Sequence, residues 1–556
     1  ESHVLVASYI GYKTFQDTLT LTRDTTVKIG LTPSVRIEEV QVTEDLPQNT
    51  QTSLHKISTE QIQSLPALMG ETDFLKAAQL YPGIQPGIEG FSGYHVRGGG
   101  REQNLILLDE VPVYNPNHLF GVFSVFNSEA IKNARLYKGG FPARYGGRVS
   151  SVLDIQMKEG NMKDFHGAGA VGLLSSKIAL EGPIQKDKTS FLVSGRRTYF
   201  DLLTWPVQKI ARSGNISGYY FHDLSAKINR IASSKSRWYF SFYTNKDNFY
   251  NKYSFTEGNE TEITHNKFGW ENYVGSLRWN YAFSPSVFAN TTLNYSQFTY
   301  FINNKLTRKI NNQSDITNET NHNAGIKNIS GKIDFEFDAS SKHDIQYGLH
   351  AKYQVYQPEI RFSGGLNEMM YLDSSYSSAK RYTYRMAGYF EDKIQINNRT
   401  ELRIGVRGTG FYVKDTAFYS LQPRLSARYV LSEQVSLKAS LSKTNQYTHL
   451  LSPSKVSLPT DLWIPATKNI APVSSWQVVA GSEFQLPHEL EASIEGYYKT
   501  MTHLTEYKEG VRYFSDLSNL ESNVDQGNGM SWGVELFVRK NRGDITGHLS
   551  YTLSKS

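Results

Sequence analysis

From about Lys163 to the end of the 556-residue chain, hydrophobic and polar positions alternate residue by residue within successive segments. In one segment, the apolar positions Ile345, Tyr347, Leu349, Ala351, Tyr353 and Val355 alternate with Gln346, Gly348, His350, Lys352 and Gln354. Strand side chains point to opposite faces with a period of two, so each segment predicts a β-strand with one apolar and one polar face. A soluble β-sandwich would show the same alternation, and the connections between strands distinguish the two folds.

The predicted connections alternate between short and long. Short turns include 284–286, 397–399 and 541–543, whereas 251–268 and 303–325 are long and polar. Short turns at one end and long loops at the other are typical of an outer-membrane β-barrel, and a sandwich has no reason to sort its loops in this way. The pattern therefore predicts an all-β-dominated fold in which 161–556 form about 17 strands of an antiparallel transmembrane barrel.

Composition agrees with a barrel and excludes several other classes. The 35 tyrosines and 29 phenylalanines suit aromatic girdles at the membrane interfaces, and no apolar run approaches the ~18 residues of a membrane helix. The chain has no cysteine, and a net charge of +6 does not indicate nucleic acid. The 14 histidines show no zinc-binding spacing, and we find no catalytic constellation. We expect no cofactor, no metal and no enzymatic activity.

The first 160 residues are organised differently. Residues 1–35 predict short strands, and 36–55 form a polar linker with a β-prone core. Such a core is either a solvated linker or a strand that adds to a partner's sheet edge. Residues 56–160 predict a helix over 72–80 and apolar strands separated by glycine-rich turns.

Several motifs in this region carry a family resemblance. In order they are STEQIQSLP from Ser58, LKAAQLYPGI from Leu75, HVRGGG from His95, LILLDEVPVYNP from Leu105 and ARLYKGGFPARYGGRVSSVLDI from Ala134. Together with the strands that follow, they resemble a TonB-dependent outer-membrane receptor of the Bacteroidetes type. Residues 1–35 resemble the end of a carboxypeptidase-regulatory-like domain.

The resemblance implies an architecture and a partner. Residues 56–160 would be an α+β plug inside the lumen of a barrel of roughly 22 strands. We therefore expect about five further strands after Ser556, and a signal peptide and the rest of the sandwich before Glu1. The family's TonB box would correspond to the β-prone core of the linker, which consists of Glu38, Glu39, Val40, Gln41, Val42 and Thr43.

The resemblance also assigns residues within the plug. The plug motif comprises Arg97, Gly98, Gly99, Gly100, Asp109, Arg144, Gly146 and Gly147. We expect Arg97, Arg144 and Arg148 to pair with acids of the barrel wall such as Glu495 or Glu535, because a buried arginine needs a carboxylate. Asp109 and Glu110 are expected to form a turn.

Two plug loops are expected at the apex, where a ligand would bind. They contribute the candidate ligand-binding residues Phe91, Ser92, Tyr94, Tyr114, Asn115, Asn117 and His118, and loop aromatics such as Trp463 are further candidates. Aromatic and amide groups suit a polar, partly apolar ligand, and a purely structural role stays open for each residue.

The function predicted from these features is import of a scarce nutrient, such as a siderophore or vitamin, across a Gram-negative outer membrane and powered by TonB. An alternative is an oligosaccharide or peptide importer that works with a surface lipoprotein lid. A passive porin is disfavoured by the complete plug, and a barrel enzyme by the lack of a recognisable nucleophile and base. The expected partners are TonB, outer-membrane lipid and the nutrient, with no nucleic acid.

Overall fold

The computed structural model describes residues 2–7, 15–20, 51–59, 62, 71–87, 93–118, 121–211, 215–310, 316–365, 371–376, 380–452, 461–510, 520–540, 543 and 545–556. A large antiparallel sheet contains most of them, and strands that are neighbours in the chain pair in it. Its strands are β10 His166–Val171, β11 Ser175–Gln185, β12 Thr189–Thr198, β13 Ile216–Ser233, β14 Ser236–Glu257, β15 Glu260–Ser284, β16 Val287–Ile310, β17 Ile316–Ser340, β18 His343–Gly365, β19 Tyr371–Tyr376, β20 Arg381–Asn397, β21 Thr400–Val413, β22 Thr416–Val430, β23 Val435–Gln446, β26 Val473–Leu486, β27 Leu490–Tyr507, β28 Val524–Lys540 and β29 Gly547–Lys555.

This sheet forms a wall of 17 strands, as predicted. It contains 18 strands in all, but the six residues of β19 pair only with the end of β18, and β18 pairs directly with β20 over the rest of its length. The edge strands β10 and β29 do not pair with each other within the described residues.

The predicted alternation of apolar outward and polar inward side chains along the wall strands is confirmed. In β18, Leu349 is 66% exposed on the outer face, whereas Lys352, Gln354 and Tyr356 are buried on the inner face. The large exposed hydrophobic side chains of the wall recur at outward positions in this way. The inner face is polar and is covered by the N-terminal part of the chain.

The expectation of long loops at 251–268 and 303–325 is wrong. Strands β14 and β15 continue through the first segment and meet at a turn that contains Gly258, and β15 reaches 25 residues. Strand β16 likewise extends to Ile310, and strand β17 begins at Ile316. Polar side chains do not end a strand when water solvates both faces, because cross-strand backbone hydrogen bonds are still made. The polar stretches therefore mark where the apolar outward-facing residues of these strands end, and the strands themselves continue.

The remaining strands belong to smaller sheets. Five of them form the plug sheet in the order β3, β8, β9, β6, β7, where only β6 and β9 are parallel. Their bounds, with those of the other small sheets, are β1 Ser2–Ala7, β2 Phe15–Thr20, β3 Leu54–Ser58, β4 Ile84–Pro86, β5 Tyr94–Val96, β6 Asn104–Leu108, β7 Val111–Pro112, β8 Ile131–Tyr137, β9 Ser151–Met157, β24 Thr448–Leu451 and β25 Leu462–Pro465. Pairs β1–β2, β4–β5 and β24–β25 are separate hairpin-like sheets.

Helices are few. The predicted helix over 72–80 is confirmed as Phe74–Gln79, and Asp73 caps it by accepting hydrogen bonds from two backbone amides of the first turn. A second α-helix spans Phe200–Ile210, and short 3₁₀ helices span Arg101–Gln103 and Leu520–Asn523. None of the helices in the described ranges is long and apolar enough to cross a membrane.

The plug lies inside the wall. Its core residues, such as Leu136 and Ile155, form one buried cluster with the inward-facing wall residues Tyr243, Val274 and Phe537. Tyr243 and Val274 come from the adjacent strands β14 and β15, whereas Phe537 comes from β28, near the opposite edge of the sheet. The wall therefore curves around the plug, and the plug sheet has wall strands on more than one side.

We expect the two faces of the wall to differ sharply in their tolerance of charge. Leu349→Lys places a cation on the outward face and should destabilise the protein by about 2–4 kcal/mol in lipid. Gln346→Lys, three residues earlier, should have little effect because Gln346 faces inward between Glu336 and Glu391 in the strand register. Unfolding titrations in lipid vesicles would measure both. Equal losses would contradict an outward face that lies in lipid.

Candidate ligand-binding site

A cleft lies where the plug loops meet the β24–β25 sheet and strand β16 of the wall. Its lining residues are Gly93, Tyr94, Arg101, Glu102, Asn104, Ile106, Tyr114, Asn115, Pro116, Asn117, Phe298, Leu450, Asp461 and Trp463. Aromatic and aliphatic surfaces therefore meet charged and amide groups in one cleft. Such a mixture suits a ligand with both apolar and polar parts.

Tyr114 and Trp463 provide the aromatic part of the cleft. Their rings meet edge to face, with centroids 5.4 Å apart. The Tyr114 hydroxyl accepts a hydrogen bond of 2.7 Å from the Gln354 amide on the inner face of β18. The tyrosine is thus held between the plug and two parts of the wall, and a ligand would meet a preformed aromatic surface.

An ion pair crosses the same cleft. The guanidinium of Arg101 in the plug lies 2.5 Å from the carboxylate of Asp461, the residue before β25, and both also contact Ser452. This pair was not among the contacts expected from the sequence. The two residues are 360 positions apart, and no local motif signals their contact.

The wall fixes the plug loop that carries Asn115 and Asn117. The Trp270 indole donates a hydrogen bond to the Asn117 carbonyl, and the Asn272 amide donates one to the Asn115 carbonyl, both at 3.1 Å. These bonds use the backbone of the loop and leave its side chains directed at the cleft. The loop is therefore positioned by buried groups of β15.

Four of the seven predicted ligand residues line the cleft, namely Tyr94, Tyr114, Asn115 and Asn117. Phe91 and Ser92 lie outside the described residues, as does the whole predicted TonB box from Glu38 to Thr43. The seventh, His118, is not in the cleft.

His118 is instead fully buried between the plug and the wall. Its Nδ1 lies 2.9 Å from Asp247, its Nε2 lies 3.2 Å from Asp223, and its ring stacks on Phe221 at 3.5 Å. Arg196 also contacts this histidine and Asp223. Burial by itself would lower the pKa of the imidazole, but the two carboxylates outweigh burial and raise the pKa of His118 to about 9.

Arg97 is the centre of a second buried ionic cluster. Its guanidinium lies 2.8 Å from both Glu495 and Glu535, and it covers the Tyr497 ring at 4.8 Å. Lys138 of the plug adds a contact of 2.6 Å to Glu535. The predicted pairing of Arg97 with these two wall acids is confirmed. Arg97 and Gly98 form a turn that the Gly99 amide closes by donating to the Val96 carbonyl, and Gly99 and Gly100 follow it.

The predicted turn at Asp109 and Glu110 is confirmed, and both residues have positive φ, as a tight hairpin between β6 and β7 requires. The Asp109 carboxylate accepts from the Met157 amide and pairs with Lys227 at 2.9 Å. Burial opposes ionisation of Asp109, but Lys227 and further cations keep its pKa below the ordinary value. Asp109 therefore holds the turn to both plug and wall.

The other two plug arginines, Arg144 and Arg148, have different kinds of partner. Arg144 lies 3.3 Å from Glu110 of the plug and 3.5 Å from Asp334 of the wall, so its predicted pairing with a wall acid is confirmed. Arg148 covers the Trp463 ring at 5.2 Å and has no ion pair among the described residues, so the expected carboxylate partner is wrong for it. An aromatic face can take the place of a carboxylate beside a guanidinium.

Gly146 and Gly147 allow two wall arginines to approach the plug backbone. A Cβ at Gly146 would lie 2.6 Å from the Arg407 side chain, and one at Gly147 would lie 2.2 Å from that of Arg385. Gly147 also has a φ of +90°, which favours glycine. Among the described residues, no group of three or more acidic or histidine side chains is arranged to hold a metal ion.

Comparison with known protein families matches both halves of the chain. Residues 43–151 match the TonB-dependent receptor plug domain, and residues 194–556 match the TonB-dependent receptor-like β-barrel. No curated protein sequence matches the chain significantly.

Solved structures of low sequence identity share the fold. The siderophore receptor PirA from Pseudomonas aeruginosa has 16% identity and a TM-score of 0.59, covering 90% of this chain and 85% of its own. The copper transporter OprC has 12% identity and a TM-score of 0.61, with coverage of 91% and 81%. The outer membrane transporter YddB from Escherichia coli has 10% identity and a TM-score of 0.60, with coverage of 90% and 77%.

We expect the contact between His118 and the wall to weaken at alkaline pH. Because the pKa of His118 is raised from 6.5 to about 9 in the folded protein, its stabilisation is complete below pH 6.5 and is lost as the pH rises through about 9. Hydrogen-exchange protection of residues 113–118, corrected for intrinsic rates, should fall between pH 7 and 10. His118→Gln should remove this step, and the same step in both proteins would contradict the assignment.

Proposed function

Because the chain belongs to the TonB-dependent receptor family, we propose that it captures a scarce nutrient in the cleft and imports it across a Gram-negative outer membrane with energy from TonB. The observation that carries this proposal is the position of the cleft. It is built from plug loops and a wall segment together, so a bound ligand touches the element that would have to move for import. A ligand is coupled to a conformational change only if its contacts with the protein differ between the two conformations.

The coupling to TonB would begin at residues 38–43, whose β-prone sequence suits the addition of a strand to a partner's sheet edge. Ten residues beyond this segment, Ser53 donates hydrogen bonds to Glu495 from both its backbone amide and its hydroxyl, at 3.0 and 2.5 Å. Arg97 in turn donates to the Ser53 hydroxyl at 2.9 Å. A pull on the linker would therefore act directly on the Arg97–Glu495 contact.

The proposed cargo is a siderophore, a vitamin or a compound of similar size. The aromatic, amide and charged lining of the cleft suits a polar compound with an apolar part. Two proteins of similar structure are a siderophore receptor and a copper transporter, which agrees with a small cargo.

The N-terminal region fits a receptor of the Bacteroidetes type, and we propose that residues 1–35 are the end of a carboxypeptidase-regulatory-like domain. Antiparallel pairing of β1 with β2 supports a β-sheet module at this position. The localisation that follows from the whole proposal is the outer membrane, with lipid around the apolar outer face of the wall.

Uptake measurements in cells test the proposed function. Cells that carry the complete protein would be supplied with radiolabelled ferric siderophores, cobalamin and oligosaccharides, in the presence and absence of TonB. Uptake of one compound that requires both the protein and TonB is the expected result. Uptake that is independent of TonB would contradict energy coupling, and uptake of the oligosaccharide alone would contradict the proposed cargo.

We expect Val40→Pro to abolish binding of the periplasmic domain of TonB, because proline lacks the backbone N–H that strand pairing needs. Val40→Thr is the matched control, since threonine is β-branched and keeps the N–H. Affinity of the purified TonB domain for the full chain would be measured for both. Equal binding by the proline variant and the wild type would place the TonB contact elsewhere.

The aromatic surface of the cleft should dominate cargo binding. Tyr114→Ala combined with Trp463→Ala should weaken equilibrium binding of the transported compound at least tenfold, or about 1.4 kcal/mol, because aromatic anchors in buried pockets carry much of the binding energy. Tyr419→Ala is the control, since Tyr419 is 85% exposed on the outer face. Unchanged affinity in the double variant would exclude this cleft as the binding site.

A further inference from the structure

A second cavity lies between the plug and wall strands β16, β17, β18 and β20. Its lining residues are Leu105, Leu107, Glu110, Pro112, Arg144, Tyr145, Gly146, Asn294, Ser330, Lys332, His350, Lys352 and Arg385. Gln354, which donates to Tyr114 in the ligand cleft, is the next inward-facing residue of β18 after Lys352. The Tyr114–Gln354 hydrogen bond of the ligand cleft therefore lies beside this second cavity, which we call the inner chamber.

The charge of the inner chamber is strongly unbalanced. Four cationic side chains line it, those of Arg144, Lys332, Lys352 and Arg385, against the single carboxylate of Glu110. Glu110 is already engaged by Arg144 and by Lys332, at 3.3 and 3.0 Å. The carboxylate within the chamber is therefore not free to neutralise the other two cations.

Lys352 and Arg385 are the cations that remain. They face each other in the register of β18 and β20, and they are 9% and 8% exposed. Neither makes a hydrogen bond or an ion pair with any part of the chain that the structure describes. An uncompensated buried charge is strongly unfavourable in a protein interior. Two adjacent charges of the same sign add their mutual repulsion.

Two neighbouring buried arginines have a structural role, because they donate hydrogen bonds to backbone carbonyls of the plug. Arg407 donates to the carbonyls of Ala143 and Arg144 at 3.1 and 3.2 Å, and Arg424 donates to those of Phe141 and Tyr145 at 3.0 and 2.7 Å. These two arginines anchor the plug through its backbone. Lys352 and Arg385 make no such bonds to the plug and line the open chamber instead.

We propose that the inner chamber binds an oxyanion with at least two negative charges, of the carboxylate or phosphate class, through Lys352 and Arg385. A guanidinium offers a planar pair of donors that matches two oxyanion oxygens, and an ammonium adds a point charge with three donors. Gly147 has no side chain and leaves space for the Arg385 guanidinium beside the plug. A bound dianion would compensate both unpaired cations at once.

The place of the chamber beside the ligand cleft suggests a role in transport. Reading it as a station through which an anionic cargo passes rests on the proposed function, whereas anion binding itself does not. Oxyanion binding and passage of cargo through the chamber can therefore fail separately in experiment.

Titration calorimetry of the purified full chain with pyrophosphate and with citrate tests the binding. We expect the K352Q/R385Q double variant to bind at least tenfold more weakly than the wild type, and each single variant to fall between them. The matched control is K246Q/K327Q, which removes the same charge from outward-facing positions of β14 and β17. It should bind like the wild type.

A thermal unfolding series provides a second readout. Both probes should raise the midpoint of the wild type and of the control, because a ligand that binds the folded state stabilises it. They should not raise the midpoint of K352Q/R385Q. Absence of binding to the wild type, or equal binding by the wild type and K352Q/R385Q, would overturn the proposal. Binding that is lost while uptake of the cargo is kept would support the anion site and remove it from the transport route.

Discussion

The fold depends on burying charged groups between the plug and the wall without leaving them unpaired. The inner face of the wall is polar because the outer face is apolar and a strand alternates between them. Any element that fills the interior must therefore meet polar groups with polar groups. Arg97 with Glu495 and Glu535, His118 with Asp223 and Asp247, and Asp109 with Lys227 all meet this requirement. Breaking one such pair by removing a partner costs about 3–5 kcal/mol, because the other charge stays buried.

The same constraint bears on how a plug could be firmly seated and still move, as the proposed import requires. Buried ion pairs add little net stability compared with a well-packed apolar interface, but they require a specific geometry. A polar interface can also be rehydrated when the two surfaces separate, whereas an apolar one would expose hydrophobic area to water. Where cations and carboxylates balance, as around Arg97, the plug is held. Where they do not, as at Lys352 and Arg385, the interface leaves an open chamber.

Much of the architecture could be predicted from the sequence, because alternation with a period of two is a local property. The 17 wall strands follow from it, as does the outward position of Leu349. The pairing of Arg97 with Glu495 and Glu535 could be expected from the family's plug motif together with the cost of a buried arginine. The ends of the strands could not be predicted, because polar residues occur both in loops and in strands that project into water, such as β15.

The candidate site was only partly predictable for a related reason. Tyr94, Tyr114, Asn115 and Asn117 lie in loops that the plug motifs locate, and the structure brings them to one cleft. His118 immediately follows this loop, but its environment is set by Asp223 and Asp247 on distant strands. The Arg101–Asp461 pair and the unpaired Lys352 and Arg385 likewise depend on which wall strand faces which part of the plug. Such contacts are made across the whole chain and leave no pattern in the local sequence.

On the proposed mechanism, a pull from TonB would reach the plug first at Ser53 and the strand that follows it. Strand β3 is an edge strand of the plug sheet and, within the described residues, pairs with β8 alone, through five residues from Leu54 to Ser58. Ser53 precedes this strand and binds both Glu495 and Arg97. The first groups to separate would therefore be one edge strand and one side of the Arg97 cluster, while the parallel pair β6–β9 and the Asp109 contacts stay intact. Releasing a single edge strand breaks far fewer contacts than extracting the whole plug. On the proposed mechanism, local unfolding that starts at Ser53 is the less costly way to open a path beside the plug.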